Sequence, residues 1–259
     1  RYNFGNIENI ALEFLYDDEL EPLDYQAREV NRSDLSGLNF NFGLIYKGKI
    51  SSSLDLHSSF SYSPEYNLSS RNSRVFASVI INPNSGLELP VNEIDVDLES
   101  VGLAKTDLTM PSKTNIGLGV GKDKKWFMGA EYTFLSSSVF SNDLINIDNS
   151  RFEDSSIISV GGFYIPDYSS FSGVFKRLVY RAGLYSEKTG LNINGESISE
   201  FGISFGLGIP SGGLFSNINT TVEFGKRGTT DANLVEENFV NFQLSLSLND
   251  RWFIKRKYN

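Results

Sequence analysis

The chain has 259 residues, a hydrophobic share of 40% and a net charge of -9, with a mean hydropathy of -0.21. No apolar run approaches the roughly 18 residues that a spanning helix needs, which excludes a helical membrane protein. An acidic chain without a basic patch excludes nucleic acid as a partner, because a phosphate backbone demands a cationic footprint.

Aromatic residues reach 13%, with 20 Phe and 12 Tyr, and this richness favours strands over helices. Cys is absent, which suits an oxidising compartment. The chain opens on Arg1 and Tyr2 without an apolar leader, so it reads as a processed or truncated piece of a longer protein.

Taken in chain order, a two-residue alternation begins at residues 10–16 and returns at residues 38–46. There Leu38, Phe40, Phe42, Leu44 and Tyr46 share one face, and Asn39, Asn41, Gly43 and Ile45 the other. A turn at residues 47–49 leads to Leu54, Leu56, Phe60 and Tyr62, backed by Asp55, His57, Ser59 and Ser61. Less regular strands follow at residues 75–81 and 87–98. Then come Ile116, Leu118 and Val120, a turn at residues 121–125, and Trp126, Met128, Ala130, Tyr132 and Phe134.

Further strands lie at residues 157–165, 178–184, 201–209, 218–224 and 240–248, giving 12 in all. Short turns alternate with long polar segments at residues 17–34, 63–72, 100–112, 136–150, 187–197 and 226–237. Short periplasmic turns and long external loops are the connections of a transmembrane barrel. The acidic run at residues 17–24 and the lysines at the short turns are solvated ends.

A soluble β-sandwich also alternates, and the polar faces decide between the two. A solvated face carries Lys and Glu along its middle, whereas these faces are mostly Gly, Ser, Asn and Thr with isolated charges. Aromatics near strand ends, such as Tyr46, Tyr62, Trp126 and Phe134, fit interfacial girdles. The expected fold is all-β: a transmembrane antiparallel β-barrel over residues 1–250 in a bacterial outer membrane, followed by a basic periplasmic tail at residues 251–259. Its surroundings would be membrane lipids and lipopolysaccharide.

Charged residues of inward phase are Glu13, Asp55, His57, Glu131, Arg181, Glu187 and Glu223. Pairing of Arg181 with Glu131 or Glu223 across strands would fill and stiffen the lumen. His57 is the sole His and shares a face with Ser59 and Asp55, but no G-x-S-x-G elbow or oxyanion site accompanies them, so no catalytic residue is assigned. Acidic groups at Asp95, Asp97 and Glu99 read as solvated loop residues, and no metal or other cofactor is implied. The Gly-x-Gly runs at Gly117, Gly119 and Gly121 lack the strand-to-helix context of a phosphate loop.

Four segments carry a resemblance. They are Asp107-Leu108-Thr109-Met110-Pro111 leading into Asn115-Ile116-Gly117-Leu118-Gly119, Tyr180-Arg181-Ala182-Gly183-Leu184-Tyr185, Phe201 to Pro210, and Leu244 to Phe253. In order and spacing this region is similar to the FadL/TodX family of outer-membrane transporters for hydrophobic compounds. The resemblance implies a barrel of about 14 strands whose hatch and first strands are absent from this chain. It also implies a lateral gap at a kinked third strand, here residues 8–17, where no Pro or Gly marks a kink.

Passive uptake of long-chain fatty acids or hydrocarbons is the function the resemblance implies. Arg181 would hold a carboxylate through its planar fork, with Tyr185 or Phe127 flanking the acyl chain. The alternative function is a non-transporting accessory barrel in a secretion or barrel-assembly complex, with envelope proteins as partners.

Overall fold

A computed structural model describes residues 1–82, 85–140, 150–171, 173–210 and 215–248. Among them run fifteen strands: β1 (Tyr2–Glu13), β2 (Gln26–Leu38), β3 (Phe42–Ser51), β4 (Leu54–Ser63), β5 (Tyr66–Ile81), β6 (Glu88–Asp95), β7 (Lys105–Met110), β8 (Lys113–Lys122), β9 (Trp126–Leu135), β10 (Ser150–Phe152), β11 (Ser155–Tyr164), β12 (Val179–Ile193), β13 (Glu196–Pro210), β14 (Phe215–Gly228) and β15 (Glu236–Leu248). A four-residue helix, α1 (Val174–Arg177), lies between β11 and β12. No helix among the described residues is long and apolar enough to cross a membrane.

The strands divide between two compact units. In the larger, strands run in the order β15-β14-β13-β12-β11-β9-β8-β4-β3, with β10 paired to β12. Its registers sort side chains by chemistry. One row across the sheet reads Leu118, Ala130, Val160, Leu184, Ile203, Phe224 and Val240. The next row, on the opposite face, reads Gly117, Glu131, Ser159, Tyr185, Gly202 and Gly225.

The apolar row is bare: Leu118 is 60% exposed and Val240 66%. A bare continuous apolar face of this extent would aggregate in water, but it is what a barrel wall presents to acyl chains. Trp126, Tyr164 and Tyr180 form a contiguous aromatic row at one margin, and Phe42 and Tyr62 pair at the other. From Trp126 to Phe134 the strand climbs roughly 27 Å at about 3.4 Å per residue, enough for the apolar band of a tilted outer-membrane strand. The chain is an all-β antiparallel protein of the outer-membrane β-barrel type.

The smaller unit holds a five-stranded sheet in the order β1-β2-β5-β6, with β7 also on β5. Both of its faces carry charge. Arg32 meets Glu8 and Asp34, and Arg28 meets Glu88 and Glu93, on one face. On the other, Arg74 meets Glu29, and Asn72 accepts from Ser33 and Ser70 while donating to Thr106. Leu68 and Leu108, cross-strand partners, are buried on the face of Asn72, Ala77 and Val79 are buried on the opposite face, and Leu98 is buried as well.

The structure corrects several boundaries. Residues 17–34, 63–72 and 100–112, expected as loops, contain the start of β2, the start of β5 and all of β7. β2 offers no apolar face and is held by ladder hydrogen bonds and cross-strand ion pairs, whereas the start of β5 and β7 are joined through the short apolar pairs Tyr66–Met110 and Leu68–Leu108. The expected loop at residues 187–197 is the end of the β12–β13 hairpin, turned by Asn194 and Gly195 at φ 54° and 91°. The expected turn at residues 47–49 lies inside β3, and the expected strand at residues 38–46 is broken after Leu38. The expected basic tail at residues 251–259 lies outside the described residues.

Candidate functional site

The polar face of the ten-stranded sheet gathers most of the sequence-predicted residues. Its central row starts with four glycines in register, Gly119, Gly129, Gly161 and Gly183, before Ser204, Glu223 and Asn241. Without Cβ atoms these positions leave room above the sheet, and Phe127 fills it. A Cβ on Gly119 would fall 2.3 Å from the Phe127 ring. The ring meets His57 edge-on at 5.5 Å between centroids and stacks with Phe163 at 6.1 Å.

Beside this aromatic group lies a polar lattice. Tyr185 on β12 donates its hydroxyl to Glu200 Oε1 at 2.6 Å and to Glu223 Oε1 at 3.4 Å. Glu200, only 9% exposed, also accepts from Arg227 on β14. Asn241 on β15 donates to Glu223 at 3.4 Å. Glu187 stands directly across from Glu200, which is in turn across from Arg227. Four adjacent strands are thus tied through carboxylates that have lost much of their water, which makes each hydrogen bond count for more than it would in solvent.

The remaining candidates divide. Glu131 accepts from Asn115 at 2.7 Å, and Asp55 sits 3.9 Å from Lys47. Arg181 donates to Asn219 at 2.8 Å rather than pairing with Glu131 or Glu223. The register explains this correction: Arg181 lies opposite Gly206, which lies opposite Thr221, so Asn219 is the diagonal neighbour. Its charge has no carboxylate partner among the described residues. Glu13 is the last residue of β1 in the smaller unit's sheet, across from Ala27.

Sequence reading missed Glu200 and Arg227, because the strand ends that hold them were read outside the strands. Both keep the inward phase of their strands, and extending the alternation by one residue before Phe201 and three after Phe224 would have found them. Phe163 was overlooked for a different reason: it is a large apolar residue on the polar face, in the phase expected for small ones. A cavity of about 460 Å³ lies on this face, lined by His57, Ser59, Phe127, Glu131 and Tyr185 among others.

The BamG family model matches residues 1–259, the whole chain. The chain belongs to the BamG family. No curated protein sequence matches it. Among solved structures, the CymD monoaromatic hydrocarbon channel is similar at 10% identity and a TM-score of 0.35, over 87% of this chain and 82% of that one. This chain's family and its bare apolar wall together point to the bacterial outer membrane.

Proposed function

We propose that this BamG-family protein is a non-transporting accessory barrel of an outer-membrane complex that assembles or secretes proteins. The observation that carries the reading is the Tyr185–Glu200–Arg227 lattice with Glu223 and Asn241. It spends inward polar groups on one another, as a stiff structural wall does, and leaves few for a passing solute. Membership of the BamG family supports the accessory reading.

Stiffness has a use in such a role. A wall whose interior is cross-tied keeps the shape of its external surfaces, and a partner then docks without a large ordering cost. Purification from membranes in mild detergent tests this. Stoichiometric co-purification with other envelope proteins, surviving gel filtration, is the expected result; a monomer carrying bound hydrocarbon or fatty acid would overturn it.

A second reading, passive uptake of hydrophobic molecules, is favoured by one specific arrangement. Arg181 lacks a carboxylate partner and lies on the same face as Phe127 and Phe163, two strands apart from the first and one from the second. A fatty-acid carboxylate on Arg181 with its chain along those rings is the pose this predicts. Loss of fatty-acid binding in Arg181→Gln, with the complex intact, would support uptake.

A further inference from the structure

The apolar face carries a depression that neither reading uses. Gly162 and Ala182 lie opposite each other in register, and Gly162 also faces Met128 while Ala182 faces Phe205. These two small residues form the floor of a groove of about 1140 Å³, walled by Met128, Tyr164, Tyr180, Leu184 and Phe205. All five walls are bulky and exposed. The groove therefore opens on the face that meets lipid, where its volume fits an acyl chain.

One end of the groove is cationic. Tyr164 and Tyr180 are the last groove residues before the connection that runs from β11 to β12, whose ends are pinned by Ile165 and Leu178, each 6% exposed. The Tyr180 hydroxyl donates to the Phe175 carbonyl in α1 at 3.1 Å, which ties the helix to a groove wall. α1 ends in Lys176 and Arg177. The neighbouring β8–β9 turn, joined by the Ile165 amide donating to the Lys125 carbonyl at 2.7 Å, adds Lys124 and Lys125.

None of these cations forms an ion pair among the described residues. The ion pairs of this unit among the described residues involve Lys47, Arg151, Lys226 and Arg227, and none of the rim cations. Arg177 Nε is sealed from solvent without an acceptor. The nearby carboxylates are Asp123 and Asp167, the latter already accepting from the Ser169 amide. Lys124 stands over the Tyr168 ring at 5.3 Å. Phe171 and Phe175 project fully or largely into the surroundings, as anchors at a headgroup boundary do.

We propose that the groove and its rim form a binding site for an anionic phospholipid of the periplasmic leaflet. One acyl chain lies over Gly162 and Ala182, and the phosphate is met by Arg177, Lys176 and the lysines of the neighbouring turn. The assignment to that leaflet rests on short turns facing the periplasm and is independent of whether the protein is an accessory barrel or a channel. Cationic residues beside the bilayer surface attract anionic lipid, and a shaped apolar groove adds retention that a flat wall lacks.

Native mass spectrometry of the protein in nanodiscs of mixed phosphatidylglycerol and phosphatidylcholine tests the site. Preferential retention of phosphatidylglycerol is expected, weakened about fivefold for each cation removed in Lys176→Gln and Arg177→Gln. Ala182→Leu, which fills the floor, should abolish it; should that variant fail to show heat-modifiable migration, the two rim variants decide alone. Equal retention of the two lipids, or wild-type retention in folded rim variants, would each overturn the proposal.

Discussion

The Tyr185 hydroxyl lies 2.6 Å from Glu200 Oε1, and the two are not direct cross-strand partners: Tyr185 faces Gly202. The ring leans across that glycine, where a Cβ would fall 2.4 Å from it, to reach the carboxylate one pleat further on. A single glycine therefore decides whether the lattice closes. Tyr185→Phe should lower stability by about 1 kcal/mol, the net worth of a typical hydrogen bond, and Glu200→Ala by about 1–3 kcal/mol because it strands a hydroxyl and a guanidinium. Urea titration of folding into lipid vesicles measures both.

The aromatic group over the glycine row makes a sharper prediction. Gly119→Ala should cost about 1–3 kcal/mol through overpacking against Phe127. The same substitution in a Phe127→Ala background should cost far less, with a coupling of about 0.5–3 kcal/mol. Additive effects in that double-mutant cycle would mean that the ring does not occupy the space above Gly119.

Charge placement separates the two faces. Phe205→Arg puts a cation on the apolar wall and should destabilise folding into a bilayer by about 2–4 kcal/mol if the site is near the midplane. Ser204→Arg, one residue away on the polar face, should cost much less. The comparison is read from unfolding midpoints in matched vesicles.

Glu153, between β10 and β11, clasps the far end of the β12–β13 hairpin. Ser197 and Asn192 donate to it at 2.6 and 2.8 Å, and Arg151 at 3.2 Å. The Ser197 hydroxyl, together with Arg151 and Asn192, holds its carboxyl below the usual carboxylate range despite some burial that opposes them. A carboxyl whose folded pKa is depressed contributes stability above its unfolded pKa and loses it as pH falls through the folded value. Protection of the Glu153 amide, which donates to the Gly190 carbonyl at 2.7 Å, measured relative to the intrinsic exchange rate at each pH, should therefore fall as the pH drops below the unfolded Glu value of about 4.3. Glu153→Gln should show the lower protection at every pH.

The two sheets differ in how much of them can be read from residues alone. In β8, β9 and β13 the alternation fixed which side chains share a face, because one face must be apolar and the other small. β2 defeated the same reading. Its Arg28, Glu29, Arg32 and Asp34 offer no apolar periodicity, and it is a strand through pairing with Glu8, Arg74 and their neighbours, which lie far off in sequence. The same limit hid the partner of Arg181: phase puts Arg181 on the face with Glu131 and Glu223, but only the register selects Asn219. Glu200 and Arg227 lay just beyond strand ends drawn too short, since β13 and β14 at 15 and 14 residues outrun the roughly 9–11 that cross a bilayer.

The ten-stranded sheet separates lipid on one face from a polar interior on the other. Because the chain contains no Cys, single cysteines report on this without background. Cysteines placed in turn at Ser204, Phe205, Thr221, Val222, Asn241 and Phe242, in protein folded into vesicles, should alternate strictly. Those at Ser204, Thr221 and Asn241 should react with a charged, water-borne thiol reagent, and bimane labels at Phe205, Val222 and Phe242 should be quenched by lipid-borne nitroxide. Uniform reaction along the strands, or quenching at Ser204, Thr221 and Asn241, would contradict the account.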